Sequence, residues 1–322
     1  MREAFFVPEF IPASGESPSL KLARHAMATR FELVLPGENV PRLRAAGEEA
    51  LEEISRLEDR LSLYRPSSEI AHINARAAEA PVRVSPEVFH LLAQALQWGE
   101  AMEGAFDVTI GPLVRCWGFM GDSGSLPAEN EIENARRLVG QRKVHLDAEE
   151  LTVKFEEPGM MIDLGAIGKG YAIDQAILRL LEAGVENALL HGGTSTVFAM
   201  GSPGEGKKWI VAIPHPIRSD EILQSVALHN ESLSLSAVWG RSFEHENRTY
   251  GHVIDPRSGQ PVNHALMSAL VLKPATETDA LSTALLALGP SQADLITAFR
   301  PEARWLIALP NEQEFRTISH GM

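Results

Sequence analysis

The stretch that most constrains this chain is Met161-Ile-Asp-Leu-Gly-Ala-Ile-Gly-Lys-Gly-Tyr-Ala-Ile-Asp174. A short apolar run ends at Asp163, and glycines follow at Gly165, Gly168 and Gly170. Apolar residues then recur at helical spacing, at Ala172, Ile173, Ala176, Ile177, Leu180 and Leu181. The pattern predicts strand, tight turn, helix. Glycines in such a turn let backbone approach a ligand closely, and the free N–H groups of a helix N-terminus attract an anion. Lys169 adds a positive charge at the same place. The glycine order, G-x-x-G-x-G, is neither the dinucleotide fingerprint nor a Walker A loop. On this stretch alone, a plain strand-to-helix turn and a phosphate site both stay open.

The length, 322 residues, allows one large or two modest domains with an ample core. A net charge of -14 argues against nucleic acid or an anionic membrane surface as partner. The single cysteine, Cys116, excludes a disulfide framework and a multi-cysteine metal site. No run has the apolar length of a membrane span. The N-terminus carries acidic residues and a proline where a signal peptide needs an apolar stretch. A cytoplasmic location is the expectation, unless an export signal has been removed.

Residues 1–20 are rich in Pro, Ser and Gly and predict an arm or loop, with residues 21–322 as one unit of two intertwined subdomains. Ala26 to Leu35 reads as a strand stopped by Pro36-Gly37. Helices are predicted over 41–62, from near Ser67, over Pro86 to Met102 with Ser85 as N-cap, and over Glu129 to Leu138. Gly104-Ala-Phe-Asp-Val-Thr-Ile-Gly-Pro112 reads as a loop, too polar at Asp107 and Thr109 for an apolar strand. Lys143 to Leu146 and Leu151 to Phe155 suggest a hairpin. Further strands are expected at Ala188 to Gly193, Trp209 to Ile213, Ser225 to Leu228, Ser232 to Ser236, His252 to Asp255 and Leu266 to Leu272. A helix from about Thr276 to Leu288 follows, and Ala303 to Leu309 ends the regular pattern. The mixture indicates an α+β fold with a mixed sheet rather than a regular βαβ alternation.

Three spots carry chemistry. Asp279 and Thr283 stand four apart on one helix face, and a carboxylate with a hydroxyl suits a hard cation such as Mg²⁺. By itself that pair is more often an exposed polar face or a cap. His252 precedes a turn in Tyr250-Gly-His-Val-Ile-Asp-Pro-Arg-Ser-Gly259, where a histidine serves as a general base or as a structural residue. Gly104 to Asp107 offers backbone N–H groups, an aromatic face and a carboxylate, suited to a base or ribose or to a satisfied buried turn.

Together these blocks resemble the ApbE-like FAD:protein FMN transferases, in order from about Met27 to Leu288. The matching blocks are Met-Ala-Thr at 27–29, Leu-Ser-Leu-Tyr-Arg-Pro-Ser-Ser-Glu at 61–69 and Gly-Ala-Phe-Asp-Val-Thr at 104–109. Asp-Leu-Gly-Ala-Ile-Gly-Lys-Gly-Tyr-Ala at 163–172, Gly-Gly at 192–193, His-Val-Ile-Asp-Pro-Arg-Ser-Gly at 252–259 and Thr-Asp-Ala-Leu-Ser-Thr at 278–283 complete the set. The resemblance implies FAD in a cleft between an α/β part and a second β-rich part. It implies FAD contacts from Met27, Tyr64, Ala105, Phe106, Asp107, Asp163, Lys169 and Ile254. It implies Mg²⁺ held by Asp279, Thr283 and the carbonyl of Ala166, and His252 as the base. The implied reaction is attack of a threonine or serine hydroxyl of an acceptor flavoprotein on the FMN phosphorus, with AMP leaving.

The chain departs from the family in places. It has Gly192-Gly193-Thr194 where the family usually reads Gly-Gly-Asp, Ala237-Val238-Trp239 near the usual Thr-Ser-Gly, and Ser282 where some members are acidic. These changes bear on transfer to a protein, because the altered loops are expected to face the acceptor. Two other classes stay open: a paralogue that binds or hydrolyses FAD without flavinylating a protein, and a serine hydrolase suggested by His191-Gly-Gly-Thr-Ser195. The absence of any G-x-S-x-G elbow counts against the hydrolase.

Overall fold

The computed structural model describes residues 18–121, 124–204, 206–218, 220–246, 248–312 and 314–322. Its centre is an eight-stranded sheet whose strands lie side by side in chain order. They are β1 (Ser19–Ala26), β2 (Thr29–Pro36), β3 (Ala188–Gly192), β4 (Thr196–Met200), β5 (Glu231–Ala237), β6 (Met267–Leu272), β7 (Arg304–Pro310) and β8 (Phe315–His320). Every neighbouring pair is antiparallel. The helices are α1 (Val40–Leu61), α2 (Glu69–Arg76), α3 (Pro86–Ala101), α4 (Gly111–Cys116), α5 (Glu129–Arg137), α6 (Gly168–Glu182), α7 (Ala275–Leu288) and α8 (Asp294–Phe299). The α+β class read from the sequence is what the chain adopts, but the mixed sheet expected with it is not: the central sheet is antiparallel throughout.

Alternation along the strands builds two cores on one sheet. Phe31, Leu33 and Leu35 of β2, Leu270 and Leu272 of β6, and Trp305, Ile307 and Leu309 of β7 face the helices in the larger core. Their neighbours Val34, Ala269, Val271, Leu306 and Ala308 face the other way. That second face is covered by a separate hairpin, Trp209–Pro214 with Ile222–Leu228, which contributes Trp209, Val211, Ile213, Val226 and Leu228. The indole N–H of Trp209 donates to Met200 O at 3.0 Å, so the buried ring leaves no polar atom unpaired. A third cluster of Leu113, Trp117, Phe119, Ile132, Ala135 and Ile254 joins α4 and α5 to the 252–259 segment.

Helix α7 is the element the site depends on. Thirteen of its residues are buried, including Thr276, Glu277, Thr278, Asp279 and Ser282. It therefore runs through the interior, and the expectation of an exposed polar face does not hold there. Its N-cap, Pro274, has no capping side chain. Asp174 of α6 does that job from outside, accepting from Ala275 N and Thr276 N at 2.8 Å each and from Thr276 Oγ1 at 2.6 Å. The two helices cross closely because Gly170 has no side chain: a Cβ there would lie 2.3 Å from Ala275 O.

Several sequence expectations change. The strand expected from Ala26 to Leu35 is half of a hairpin, with a turn at Met27 and Ala28, both at positive φ (50° and 56°). A turn with both central residues left-handed normally uses Asn or Gly, and neither is present to announce it. Of the arm predicted over 1–20, residues 1–17 lie outside the described residues, while Ser19 and Leu20 belong to β1. The strand expected before Asp163 is only an extended segment with one isolated bridge, Ile110 to Met161. His252 lies outside any strand, between the hairpin Ser242–His245/Arg248–Gly251 and the short strand Ile254–Asp255.

Candidate active site

The two motif segments that the sequence set far apart run side by side. Asp163 N donates to Val108 O at 2.8 Å, and Ile110 bridges Met161. Asn74 of α2 fixes the same segment from the other side, donating to Ile162 O at 2.9 Å and accepting from Ile162 N at 2.7 Å. Asp163 then closes the glycine turn by accepting from Gly165 N at 2.7 Å. Lys169, in the first turn of α6, donates to Gly165 O at 3.2 Å. The N-cap residue of α6, Ile167, has no capping side chain, and Gly168 N is held instead by Leu164 O at 2.7 Å and Tyr171 N by Ile167 O at 2.9 Å.

One cluster of charge forms around this turn. Burial pushes the Asp163 carboxyl up, against the Gly165 N–H and the charges of Lys169 and Arg241. The same Lys169 and Arg241 act on His252. Burial is the first cause holding that imidazole below its ordinary range, the two cations add to it, and a bond to Arg241 O opposes them. His252 Nδ1 lies 3.2 Å from Arg241 O. A carbonyl only accepts, so Nδ1 carries the proton and Nε2 keeps its lone pair. A base near neutral pH needs that tautomer. The ring meets Phe119 edge-on at 6.5 Å, and Phe119, Phe243, Tyr250 and Trp117 form a continuous aromatic stack behind it.

A second cluster sits one residue further along α6. Gly170 N donates to Asp279 Oδ2 at 3.1 Å. Asp279 Oδ1 is 3.2 Å from both Thr196 Oγ1 and Ser234 Oγ. Asp279 is 3 % exposed, and among the described residues every one of these partners is neutral. Thr283 Oγ1 is 3.0 Å from Ser236 Oγ and 3.3 Å from Asp279 O. Ala166 lies in the glycine turn that leads into α6, half-buried. Adjacent Lys169 and Gly170 thus join the Asp163–His252 cluster to the Asp279–Thr283 cluster.

The remaining expected residues are placed less closely. Ala105 and Phe106 are buried in the main core, 1 % and 3 % exposed, and Ile254 is buried in the third cluster. Their backbones, not their side chains, are what a ligand would meet. Asp107 fills its turn, accepting from Thr109 N at 2.8 Å, Thr109 Oγ1 at 2.6 Å and Gln141 N at 3.1 Å. Burial raises its carboxyl and those donors oppose the shift. Tyr64 is 61 % exposed on the segment after α1. Met27 is half-buried, with its N–H on Glu58 Oε1 at 2.8 Å. Arg241, Phe119, Asn74, Thr196 and Ser234 were not singled out in the sequence. Each acts through a partner distant along the chain, and no local pattern announces that. The hydrolase reading gains nothing: His191 bonds Gly193 O at 3.1 Å and faces Glu32 at 3.5 Å, while Ser195 donates to Gly192 O at 3.3 Å.

The ApbE family model matches residues 27–306, most of the chain. The chain belongs to the ApbE family. A Haemophilus influenzae protein named FAD:protein FMN transferase is 30% identical over 290 residues, 86% of this chain and 83% of its own length. A Klebsiella pneumoniae protein of the same name is 33% identical over 240 residues, 73% of each. Among solved ApbE structures, that of the Thermotoga maritima protein superposes with a TM-score of 0.86 at 28% identity, covering 94% of this chain and 97% of its own. The Pseudomonas stutzeri flavinyl transferase ApbE gives 0.81 at 28% identity, covering 95% and 96%.

Proposed function

We propose that this chain is an FAD:protein FMN transferase that joins FMN through a phosphoester to a threonine or serine of an acceptor flavoprotein and releases AMP. The observation that carries the reading is the junction at the first turn of α6. There Lys169 holds Gly165 O, the next residue holds Asp279 through its N–H, and the charge of Lys169 helps to lower the His252 imidazole below its ordinary range. A pyrophosphate needs that combination: cationic and N–H partners for its oxygens, and a base for the attacking hydroxyl. Family relatives bear the same activity in their names.

The residues have distinct tasks. Lys169, at the positive end of α6, binds the pyrophosphate oxygens. The backbone at Ala105, Phe106 and Ile254, with Met27, Tyr64, Asp107 and Asp163, makes up the rest of the FAD cleft. The acceptor hydroxyl attacks the FMN phosphorus, its proton passes to Nε2 of His252, the new P–O bond forms, and the pyrophosphate P–O bond breaks so that AMP carries off the pair of electrons.

Mg²⁺ fits the residues present. Asp279, Thr283 and the carbonyl of Ala166 are hard oxygen donors, and a buried carboxylate with only neutral partners calls for a cation. Mg²⁺ commonly keeps water and phosphate oxygens as its other ligands, so few protein donors suffice. When bound, it would neutralise pyrophosphate charge. Residues of this chain supply the rest: Thr283 is oriented by Ser236, and Asp279 by Gly170, Thr196 and Ser234. Among the described residues no helix is long and apolar enough to cross a membrane.

Flavin fluorescence titration and chromatographic detection of AMP test the reading together. Saturable FAD binding and cation-dependent AMP release are expected, with Asp279→Ala abolishing the release or raising the cation requirement steeply. Activity that persists in excess chelator would remove the metal from the account.

A further inference from the structure

The serines of β5 form a ladder along α7. Ser232 Oγ is 2.5 Å from Thr278 Oγ1, and Ser236 Oγ is 2.8 Å from Ser282 Oγ and 3.0 Å from Thr283 Oγ1. Those rungs join neutral hydroxyls. The middle rung differs: Ser234, together with Thr196 of the neighbouring strand β4, meets the carboxylate of Asp279. Both hydroxyls converge on the same oxygen, Oδ1, at 3.2 Å, and they lie 2.9 Å from each other.

A carboxylate has about four lone-pair positions, two on each oxygen. Oδ1 is crowded by the two hydroxyl oxygens, whose two protons are shared among Oδ1, each other and Ser195 O, 3.2 Å from Ser234 Oγ, while Oδ2 holds Gly170 N at 3.1 Å. The less crowded oxygen is therefore Oδ2. Ser234 is 0 % exposed and Thr196 2 %, so water does not reach Oδ1 from their side. A cation that approaches Asp279 meets fewer protein atoms at Oδ2 than at Oδ1.

We propose that Thr196 and Ser234 are positioning residues that set cation choice, closing Oδ1 of Asp279 and so favouring Mg²⁺ over Ca²⁺. The proposal rests on the reading of Asp279 as a cation ligand. Mg²⁺ takes six ligands in strict octahedral geometry and is content with one carboxylate oxygen plus waters and phosphate. Ca²⁺ takes six to eight ligands and commonly uses a carboxylate through both oxygens. At Asp279 that mode requires breaking the hydroxyl contacts in a dry interior. The two hydroxyls do not touch the cation; they act on it through the carboxylate.

Isothermal titration of MgCl₂ and of CaCl₂ into the FAD-saturated protein tests the idea, comparing the unaltered chain with Ser234→Ala, Thr196→Val, the double variant and Ser234→Thr. Opening Oδ1 should narrow the preference for Mg²⁺ by about tenfold or more in the double variant, the usual worth of hydrogen bonds to a charged group. Ser234→Thr, which keeps the hydroxyl, should retain the original ratio. A purely structural role would lower the unfolding midpoint and weaken both ions alike. Should the double variant fail to fold, Ser234→Ala alone decides. A Mg²⁺-to-Ca²⁺ ratio that stays constant while Mg²⁺ still binds would overturn the selectivity role and leave the cation site standing. Binding of neither ion to the unaltered protein would overturn the cation site itself, and the inference with it.

Discussion

His252 Nδ1 is tied to Arg241 O, and two cations stand nearby. Removing the ring should cost what a general base is worth. His252→Ala is expected to keep FAD affinity within a few-fold and to lower the rate by roughly 10²–10⁴. Loss of FAD binding instead would make His252 structural. The pH dependence carries a sign. Burial, Lys169 and Arg241 hold the imidazole below its ordinary value, so the neutral, active form persists into more acid solution. The acid limb of kcat/KM should lie below about 6.5, the unperturbed histidine value. Arg241→Gln removes one of the cations that lower it and keeps the backbone carbonyl that fixes the tautomer. Its acid limb should therefore move to higher pH, and an unmoved limb would mean that another group titrates. The histidine was legible in the sequence as a candidate, but the residues that set its proton were not. Arg241 lies eleven positions away across a hairpin, and Phe119 belongs to another element.

At the scale of elements, α7 shows most clearly what pattern reading misses. Its ends were read almost to the residue, since Ala275 to Leu288 is bounded by Pro274 and Gly289. Its burial was not legible. Thr278, Asp279 and Ser282 look like a solvated face, and they are buried because Ser232, Ser234 and Ser236 meet them from another strand. Glu277 is held by Arg300 at 2.7 Å and Thr276 by Asp174 at 2.6 Å. Such pairings are invisible to a local window. Asp174 anchors the helix start, so Asp174→Ala should destabilise the fold by about 1–2 kcal/mol, the range of a lost cap. Urea unfolding would show it as a lower midpoint with an unchanged slope. A midpoint equal to that of the unaltered chain would mean the start of α7 is held by packing alone. The hairpin at Met27–Ala28 escaped the sequence for a different reason: the turn takes positive φ without the Gly or Asn that signals one.

At the scale of the molecule, one sheet serves two cores, and the site gathers where α6, α7 and the 104–112 and 252–259 segments meet. Family membership was legible because seven short blocks fall in the family's order. Geometry added which of them touch. The blocks at 163–172 and 278–283 are joined through Gly170 and Asp279, and the 163–172 block carries Lys169, whose charge acts on His252. The departures at Thr194 and Ala237-Val238-Trp239 flank Thr196 and Ser236, which meet Asp279 and Thr283. The central claim is transfer to a protein. The direct measurement is mass spectrometry of a threonine-containing acceptor peptide after incubation with the protein, FAD and Mg²⁺, with AMP followed in parallel. The account predicts an acceptor heavier by one FMN phosphoester, formed in step with AMP and lost when the threonine is replaced by alanine. AMP and free FMN appearing together, with the peptide mass unchanged, would contradict it and leave a hydrolase of FAD.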